Sequence, residues 1–548
     1  SRRTGVDVQR GEGVDGAQSI DGTQHLFWRG AHETLGLGVQ SWREVEHLCN
    51  MDLTSAAKLW CGFVLLGLVV STGCRRQDFD TDPVNQLRFS ADTLHFDTVF
   101  TTVGSITLPL TVYNDHDGSI LIDRIHLEEG NLSEFRVNVN GQPMENLQFG
   151  TRDLVIAGRD SMYVFVEVTV DPNDNAGELP FLIAENLLFD VKGVEDTVKL
   201  LARGQNAIFH GTPGAYTFIP DGEVWDATLP HVMYGRLIVD EQSTLVILPG
   251  TKIYGHSGSG IWVNGGTLLA EGELDLPIVF EGDRLDDYYD DRPGQWGLSF
   301  EFTDSLEGNL VNYNAFRGGI WLDRARECRM DHVMLKESTV GVWVDSVATG
   351  AEYALRITNS QISFAESIGL LSQSGWIRGF NNLFSDCGQA CGYFAFGGDI
   401  QMHLSTFANY STLSNGVRQF PTLYLNDWYE DVFGNVQVRP FSEASEFRNC
   451  IAWGNNVGLN EFSEVVLDLY APSFYISPLL TASAIHENQE GFPSFLVDGA
   501  TTTDLAPPFS APESGDFRLT GNATIWKGVS SSPPFDTFEV LFWFGYVH

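Results

Sequence analysis

Positive charge is scarce in this sequence. Its 548 residues carry 32 Lys+Arg against 72 Asp+Glu, a formal net charge of −40. A surface of that sign repels a phosphate backbone, which excludes general nucleic-acid binding. Cysteine is also sparse, at 7 residues. Cys387 and Cys391 form a C-x3-C pair, but no second Cys or His pair stands at metal spacing, which argues against zinc. No Gly-rich stretch has the form of a phosphate loop, and no Gly-x-Ser-x-Gly elbow has triad partners. Sustained helical periodicity is missing past residue 86. Charged residues are only 19 % and hydrophobic residues 43 %, so the chain is no disordered acidic tail and can bury a large core. With 56 Gly and 12 % aromatics, the composition is that of a turn-rich β protein.

Residues 1–50 read as a non-native upstream extension ahead of Met51. Residues 51–73 read as an export signal, with Lys58 in its charged region and an apolar run from Trp60 to Val70 too short to span a bilayer as a helix. The string Ser71-Thr72-Gly73-Cys74 that follows resembles the lipobox of bacterial lipoproteins, with Ser71 where Leu or Val is usual. The resemblance implies cleavage before Cys74, acylation of its thiol and amine, and an outer-membrane lipid anchor, since several acyl chains hold a protein far better than one. The acidic stretch within the 74–86 tether resembles surface-export signals of some Gram-negative lipoproteins. Of the four cysteines past the anchor, Cys328, Cys387, Cys391 and Cys450 read as buried apolar side chains, with a Cys387–Cys391 disulfide as the alternative.

Residues 87–205 alternate apolar and polar positions in short runs, such as Leu108 to Tyr113 and Met162 to Val170. Turn signals at Asn114 to Gly118, Asn140-Gly141 and Asp171-Pro172-Asn173 separate them, the pattern of a β-sandwich. Its strings Phe96 to Phe100, Val112 to Asn114 and Gly204-Gln205 resemble the immunoglobulin-like domains at the base of bacterial surface proteins, which space or pack. Over residues 210–530 an apolar-Gly-apolar unit recurs at Gly319, Gly341, Gly369 and Gly392, at spacings of 22, 28 and 23 residues. That is one turn of a parallel β-helix; a β-propeller blade needs about 40 residues. Asn359, Asn381, Asn382 and Asn449 precede strands and are expected in turns that hydrogen-bond between coils. Gly515 to Leu519 with Ala523 to Ile525 reads as a last coil, and residues 531–548 as a cap or tail.

Four strings together resemble the right-handed parallel β-helix lipoproteins of the Bacteroidetes group. They are Phe96 to Ser105, Gly282 to Asp286 leading to Pro293 to Gly297, Gly397 to Asp399 leading to Thr406 to Tyr410, and Asn449 to Asn456. The resemblance implies an all-β chain, with an N-terminal immunoglobulin-like β-sandwich followed by a right-handed parallel β-helix. It carries no assigned activity.

Many extracellular β-helices cut acidic polysaccharides. Polygalacturonase-type hydrolases use paired carboxylates and carry Asn-Thr-Asp, Gly-His-Gly and Arg-Ile-Lys strings, none of which occurs here. His256, in Gly255-His256-Ser257, reads as a lone surface turn residue. A lyase would need a basic residue beside calcium-binding carboxylates, for which Arg317, Asp323, Lys336 and Asp345 are candidates. The densest acidic cluster is Asp283, Asp286, Asp287, Asp290 and Asp291, whose alternating carboxylates could hold Ca2+. Tyr288, Tyr289 and Trp296 beside it, and Tyr424, Trp428 and Tyr429 in a second aromatic run, could stack on sugar rings. Trp262 and Trp343 sit within strands and read as packing residues. The leading expectation is a membrane-anchored, non-catalytic binding or scaffolding protein with a polysaccharide or envelope-protein partner and no required cofactor. A polysaccharide lyase or hydrolase is the alternative. Three or more carboxylates converging with one Arg or Lys in a cleft would favour the enzyme.

Overall fold

The computed structural model describes residues 87–519 apart from 101–104, 171–180, 287, 307–308, 411–417, 419, 432, 456–463, 471–474, 476–478, 482, 486–495, 497–501 and 504–508. Cys74, the export signal, the tether and residues 531–548 therefore lie outside the described residues. The architecture is all-β: antiparallel sheets toward the N-terminus, then a parallel solenoid.

The N-terminal body is a sandwich of two five-stranded sheets. One runs, in spatial order, Arg88–Phe89, Leu108–Tyr113, Ser161–Val168, Phe135–Val139, Gln142–Pro143. The other runs Thr93–Phe100, Val194–Gln205, Phe181–Val191, Ile120–Leu127, Thr151–Ile156, with only the first pair parallel. Alternation sends Met162, Val164, Val166 and Val168 inward from one strand. They meet Ile120, Ile122, Leu187 and Phe189 of the opposite sheet in one core. Phe100, at the end of its strand, packs against Tyr254 of the solenoid, ring centroids 4.9 Å apart.

From Ile208 the chain winds into coils of three short strands, here named first, second and third face in chain order. One coil is Ile320–Asp323, Glu327–Asp331 and Val333–Lys336; the next is Val342–Val344, Leu355–Thr358 and Gln361–Ser363. Strands pair in parallel with their counterparts one coil on, as in Ile320↔Val342, Cys328↔Leu355 and Met334↔Gln361. Inward residues of all three faces fill a single core that includes Ile261, Leu322, Val344, Ile357, Ile377, Phe384 and Phe407. No coil could bury that face alone, so stacking is what stabilises the body. The four cysteines are buried and free, so Cys387 and Cys391 are not bridged.

Glycines allow close stacking at the start of the first face. A Cβ on Gly341 would stand 2.3 Å from the Gly369 carbonyl oxygen. Gly392 lies one place out of this column, because Leu370 pairs with Gly392 and puts Cys391 opposite Gly369. The asparagine expectation holds at the corner between second and third faces. Asn359, Asn381 and Asn449 occupy the left-handed region there, with φ of 48°, 54° and 54°. Asn381 Nδ2 donates to Asn359 Oδ1 (2.8 Å), and Asn359 Nδ2 to Asp331 Oδ1 (2.9 Å). Beneath them runs a buried second ladder: Val333 N–H donates to Ser360 Oγ, Ser360 N–H to Asn382 Oδ1, and Asn382 N–H to Ser405 Oγ.

Among the described residues, three elements depart from the coil pattern. Leu298–Leu306 and Asn309–Gly318 form an antiparallel hairpin inserted between successive coils. Asp516–Leu519 is no coil strand, as the sequence suggested, but pairs antiparallel with Phe509–Ala511. Phe509 and Phe517 bury themselves on Tyr410 and Trp453, an apolar patch on the outside of the third face. A separate small unit, Trp428–Glu430 with Val436–Val438, is a hairpin whose turn is held by Asp431 Oδ1, which accepts the N–H groups of Phe433 and Asn435.

Candidate functional site

Alternation on the first face puts aromatic side chains outward. Ile261 and Val263 point into the core with Trp262 between them; Ile320 and Leu322 flank Trp321, and Val342 and Val344 flank Trp343. Register then stacks the outward positions one per coil: Trp262↔Trp321↔Trp343↔Leu371↔Tyr393↔Tyr424. Trp262 and Trp321 are face to face at 4.8 Å and 15°, and Tyr393 and Tyr424 at 4.7 Å and 17°. The inserted hairpin contributes Phe300, edge-on to Trp262 and Trp321, and Arg317, whose guanidinium lies 4.8 Å from the Trp343 ring centre. The aromatic rings are half-buried.

A polar column runs beside the rings. Asn264 Nδ2 donates to Asp240 (3.0 Å), and Arg324 Nη2 donates to Asn264 Oδ1 (2.7 Å). Further along, Asp468 Oδ2 accepts from Tyr424 Oη (2.5 Å) and Asn426 Nδ2 (3.2 Å). Asp323 pairs with Arg324 at 3.1 Å. Burial first, then the charge of Asp323, pushes the Asp345 carboxyl above its ordinary range, against Arg317. Burial also pushes the Tyr393 phenol up to about 12. At the neighbouring corner a depression of about 480 Å³ is lined by Glu241, Arg324 and Arg326 among others. Thus Asp323 and Asp345 lie at the first face, with Arg317 reaching it from the inserted hairpin, while Lys336 projects from the third.

Lys336 is the centre of a second constellation. Its Nζ lies 2.8 Å from Asp290, 3.1 Å from Glu337, 3.3 Å from Glu281 and 3.7 Å from Asp291. Glu337, with a side chain only 4 % exposed, also accepts the Gly282 N–H (2.9 Å) and the Asp291 N–H (3.0 Å). Burial opposes the lysine charge, but the hydrogen bond to Asp290 and the charges of Glu337 and Glu281 outweigh it and raise the ammonium pKa. Burial likewise raises the carboxyls of Glu337 and Asp291 against the pull of Lys336. The acids thus hold the lysine proton, while burial is the main reason that the two carboxyls rise. The carboxylates close on Lys336.

The carboxylates of the acidic loop divide among several partners. Asp290 and Asp291 join Lys336; Asp283 instead accepts from His256 Nδ1 at 2.6 Å; Asp286 is half-buried, and Asp287 lies outside the described residues. His256 is thus a paired histidine rather than the lone one its sequence context suggested, and the hydrogen bond to Asp283 raises its pKa. Tyr288 is exposed and lies under the Arg292 guanidinium (3.9 Å), while Tyr289 lies under Arg284 (4.8 Å). Trp296 is 1 % exposed, stacks on Phe280 in the solenoid core and donates from Nε1 to the Lys336 carbonyl (2.8 Å). Its ring offers no face to a ligand. Tyr424 belongs to the aromatic column, whereas Trp428 and Tyr429 belong to the small hairpin. A further buried ion pair, Arg418–Glu464, was not singled out in the sequence; Arg418 also reaches Asn455 and Thr422. The column too was missed, although Gly-Ile-Trp-Val, Gly-Ile-Trp-Leu and Gly-Val-Trp-Val at Gly260, Gly319 and Gly341 are its signal.

Neither a family model nor a curated protein matches the sequence. Among solved structures, the chain is similar over 69 % of its length, and 73 % of the other chain, to the catalytic unit of a GH87 alpha-1,3-glucanase from Streptomyces thermodiastaticus, at 10 % identity and a TM-score of 0.15. A family 123 glycoside hydrolase from Clostridium perfringens matches at 8 % identity and 0.16, and a Porphyromonas gingivalis protein of unknown function at 16 % and 0.17. This chain covers 26 % and 58 % of those two. Likenesses this slight carry no argument about activity.

Proposed function

We propose that this chain is a non-catalytic, envelope-anchored protein that holds an extended glycan along the aromatic column of the first face. The observation that carries the reading is the in-register column Trp262, Trp321, Trp343, Leu371, Tyr393, Tyr424, aromatic except at Leu371, beside a column of carboxylates and amides. Rings stacked on one another turn their edges outward as an apolar strip for the C–H groups of a sugar, and the neighbouring Asp and Asn groups suit its hydroxyls. Coils repeat at about 4.8 Å, so the column offers contacts at a regular interval to an extended ligand. A net charge of −40 and the aspartates of the flanking column favour a neutral glycan over a polyuronate. Anchoring through Cys74, an outer-membrane location, a Bacteroidetes lineage and an immunoglobulin-like spacer belong to the same proposal and rest on sequence resemblance.

A catalytic reading draws on the convergence of Glu281, Asp290, Asp291 and Glu337 on Lys336. It is the weaker one, because general acid–base work needs carboxyl groups facing a substrate, and these four are engaged with the lysine and backbone N–H groups. The deciding experiment incubates the protein with neutral and uronate glycans, with and without calcium, and follows both binding and products. Retention of a neutral glycan without product formation is expected. Product release would replace the binding reading with the catalytic one, and no retention of any glycan would reject the first.

A further inference from the structure

The sandwich carries a constellation unrelated to the solenoid. His126 on Ile120–Leu127, Asp190 on Phe181–Val191 and Glu195 on Val194–Gln205 come from three adjacent strands of one sheet. Asp190 pairs directly with Glu195 across one strand boundary and with Arg124 across the other, and His126 stands one row away on the same side as Arg124. A His nitrogen and one oxygen from each carboxylate lie within 4.8 Å of one another.

The histidine supplies the second observation. His126 is 8 % exposed, and its Nε2 is buried with no hydrogen-bond partner. Its Nδ1 faces the Leu127 carbonyl at 3.4 Å. A carbonyl only accepts, and with its proton on Nδ1 toward that carbonyl the ring would present the Nε2 lone pair, as metal-bound histidines do. Nε2 is 3.5 Å from Asp190 Oδ2. Two ligands of a tetrahedral ion with bonds of about 2.0–2.1 Å stand about 3.4 Å apart, so the spacing already fits. Arg124 Nε donates to Asp190 Oδ2 (2.8 Å), the kind of outer contact that orients a ligating carboxylate. Glu195 is exposed and leaves the remaining positions to water.

We propose that His126, Asp190 and Glu195 form a divalent transition-metal site, of zinc type, on the outer side of the sandwich. Imidazole with two carboxylates selects zinc over calcium, which takes oxygen ligands alone. The test uses the full chain, stripped with EDTA and titrated calorimetrically with Zn2+, and separately with Ca2+. One equivalent of Zn2+ is expected to bind and raise the melting temperature. Glu195→Gln, at an exposed position, should weaken binding at least tenfold without altering metal-free melting, and His126→Asn should abolish the site. Co2+ loaded in place of zinc should show tetrahedral absorption that His126→Asn removes. Absence of stoichiometric Zn2+ binding overturns the proposal. So does binding that both variants retain, or Ca2+ binding as tight as Zn2+, which would reflect only the acidic surface.

Discussion

Trp262 and Trp321 are 59 places apart in the chain, yet their indoles stack 4.8 Å apart on the outside of the solenoid. The inserted hairpin Leu298–Gly318 lies between them in sequence, so the two coils close up around it in space. The stack lengthens into a column only because the strands pair without slipping; a shift of one residue would turn every ring into the core.

The column predicts graded losses in glycan retention. Trp321→Ala and Tyr393→Ala should each weaken binding about fivefold, on the order of 1 kcal/mol, and their combination more than either. Trp428→Ala, on the small hairpin, should leave affinity unchanged. Affinity electrophoresis in gels containing neutral glycan measures all four, and equal behaviour of the first-face and hairpin variants would count against the column.

The corner between second and third faces contains one misfit. His332, Asn359, Asn381 and Asn449 are joined there by Leu404, which also adopts a left-handed backbone, φ 50°. A leucine pays a steric penalty in that region that asparagine largely avoids. Asn381 Oδ1, the acceptor facing the next rung, is buried without a partner. Leu404→Asn should relieve the backbone and supply the missing donor, raising stability by about 1 kcal/mol in denaturant titrations.

Lys336 should be structurally indispensable where its neighbours are not. Lys336→Met leaves Glu281, Asp290, Asp291 and Glu337 without their cation and should cost about 2–4 kcal/mol at neutral pH. The same variant should gain melting temperature from added Ca2+, since the vacated centre is ringed by oxygen ligands. The parent protein should not gain through this cluster, because its ammonium already fills the place. Melting curves with calcium and with EDTA separate the two.

Asp386 makes stability depend on pH. Burial, opposed by the Tyr410 N–H and assisted by the charge of Asp291, raises its carboxyl to about 7. A raised folded-state value means that the folded protein holds the proton more tightly than the unfolded chain. The stability this contributes is complete below the ordinary carboxylate range and is lost as pH rises through about 7. The slope is about 1 kcal/mol per pH unit within that window. Asp386→Asn keeps an acceptor for Tyr410 N–H and suits the left-handed φ of 51°. Its melting temperature should fall below or match the parent's at pH 4 and exceed it at pH 8.

The coil repeat, the turn asparagines and the alternation of the sandwich were legible because each rests on neighbours in sequence. The Gly319–Gly341–Gly369 spacing reports one circuit of backbone, and Asn at a left-handed corner reports a local torsion. Gly392 misled by one place, since a spacing of 23 cannot tell a longer turn from a shifted glycine. The partners of the acidic loop were not legible, for a different reason. Alternating carboxylates at Asp283 to Asp291 resemble a cation loop, but which partner each meets depends on where the loop lands. Lys336 and Glu337, each 46 residues on, take two of them, and His256, 27 residues back, takes a third.

Local chemistry, written in apolar spacing and turn residues, determined that this chain alternates, turns and coils. The tertiary structure decided which side chains share a surface: the tryptophans in one row, one lysine amid four acids, and His126 beside Asp190 and Glu195. Such groupings follow from strand register and loop landing, and these are set by burial of the whole core rather than by any segment taken alone.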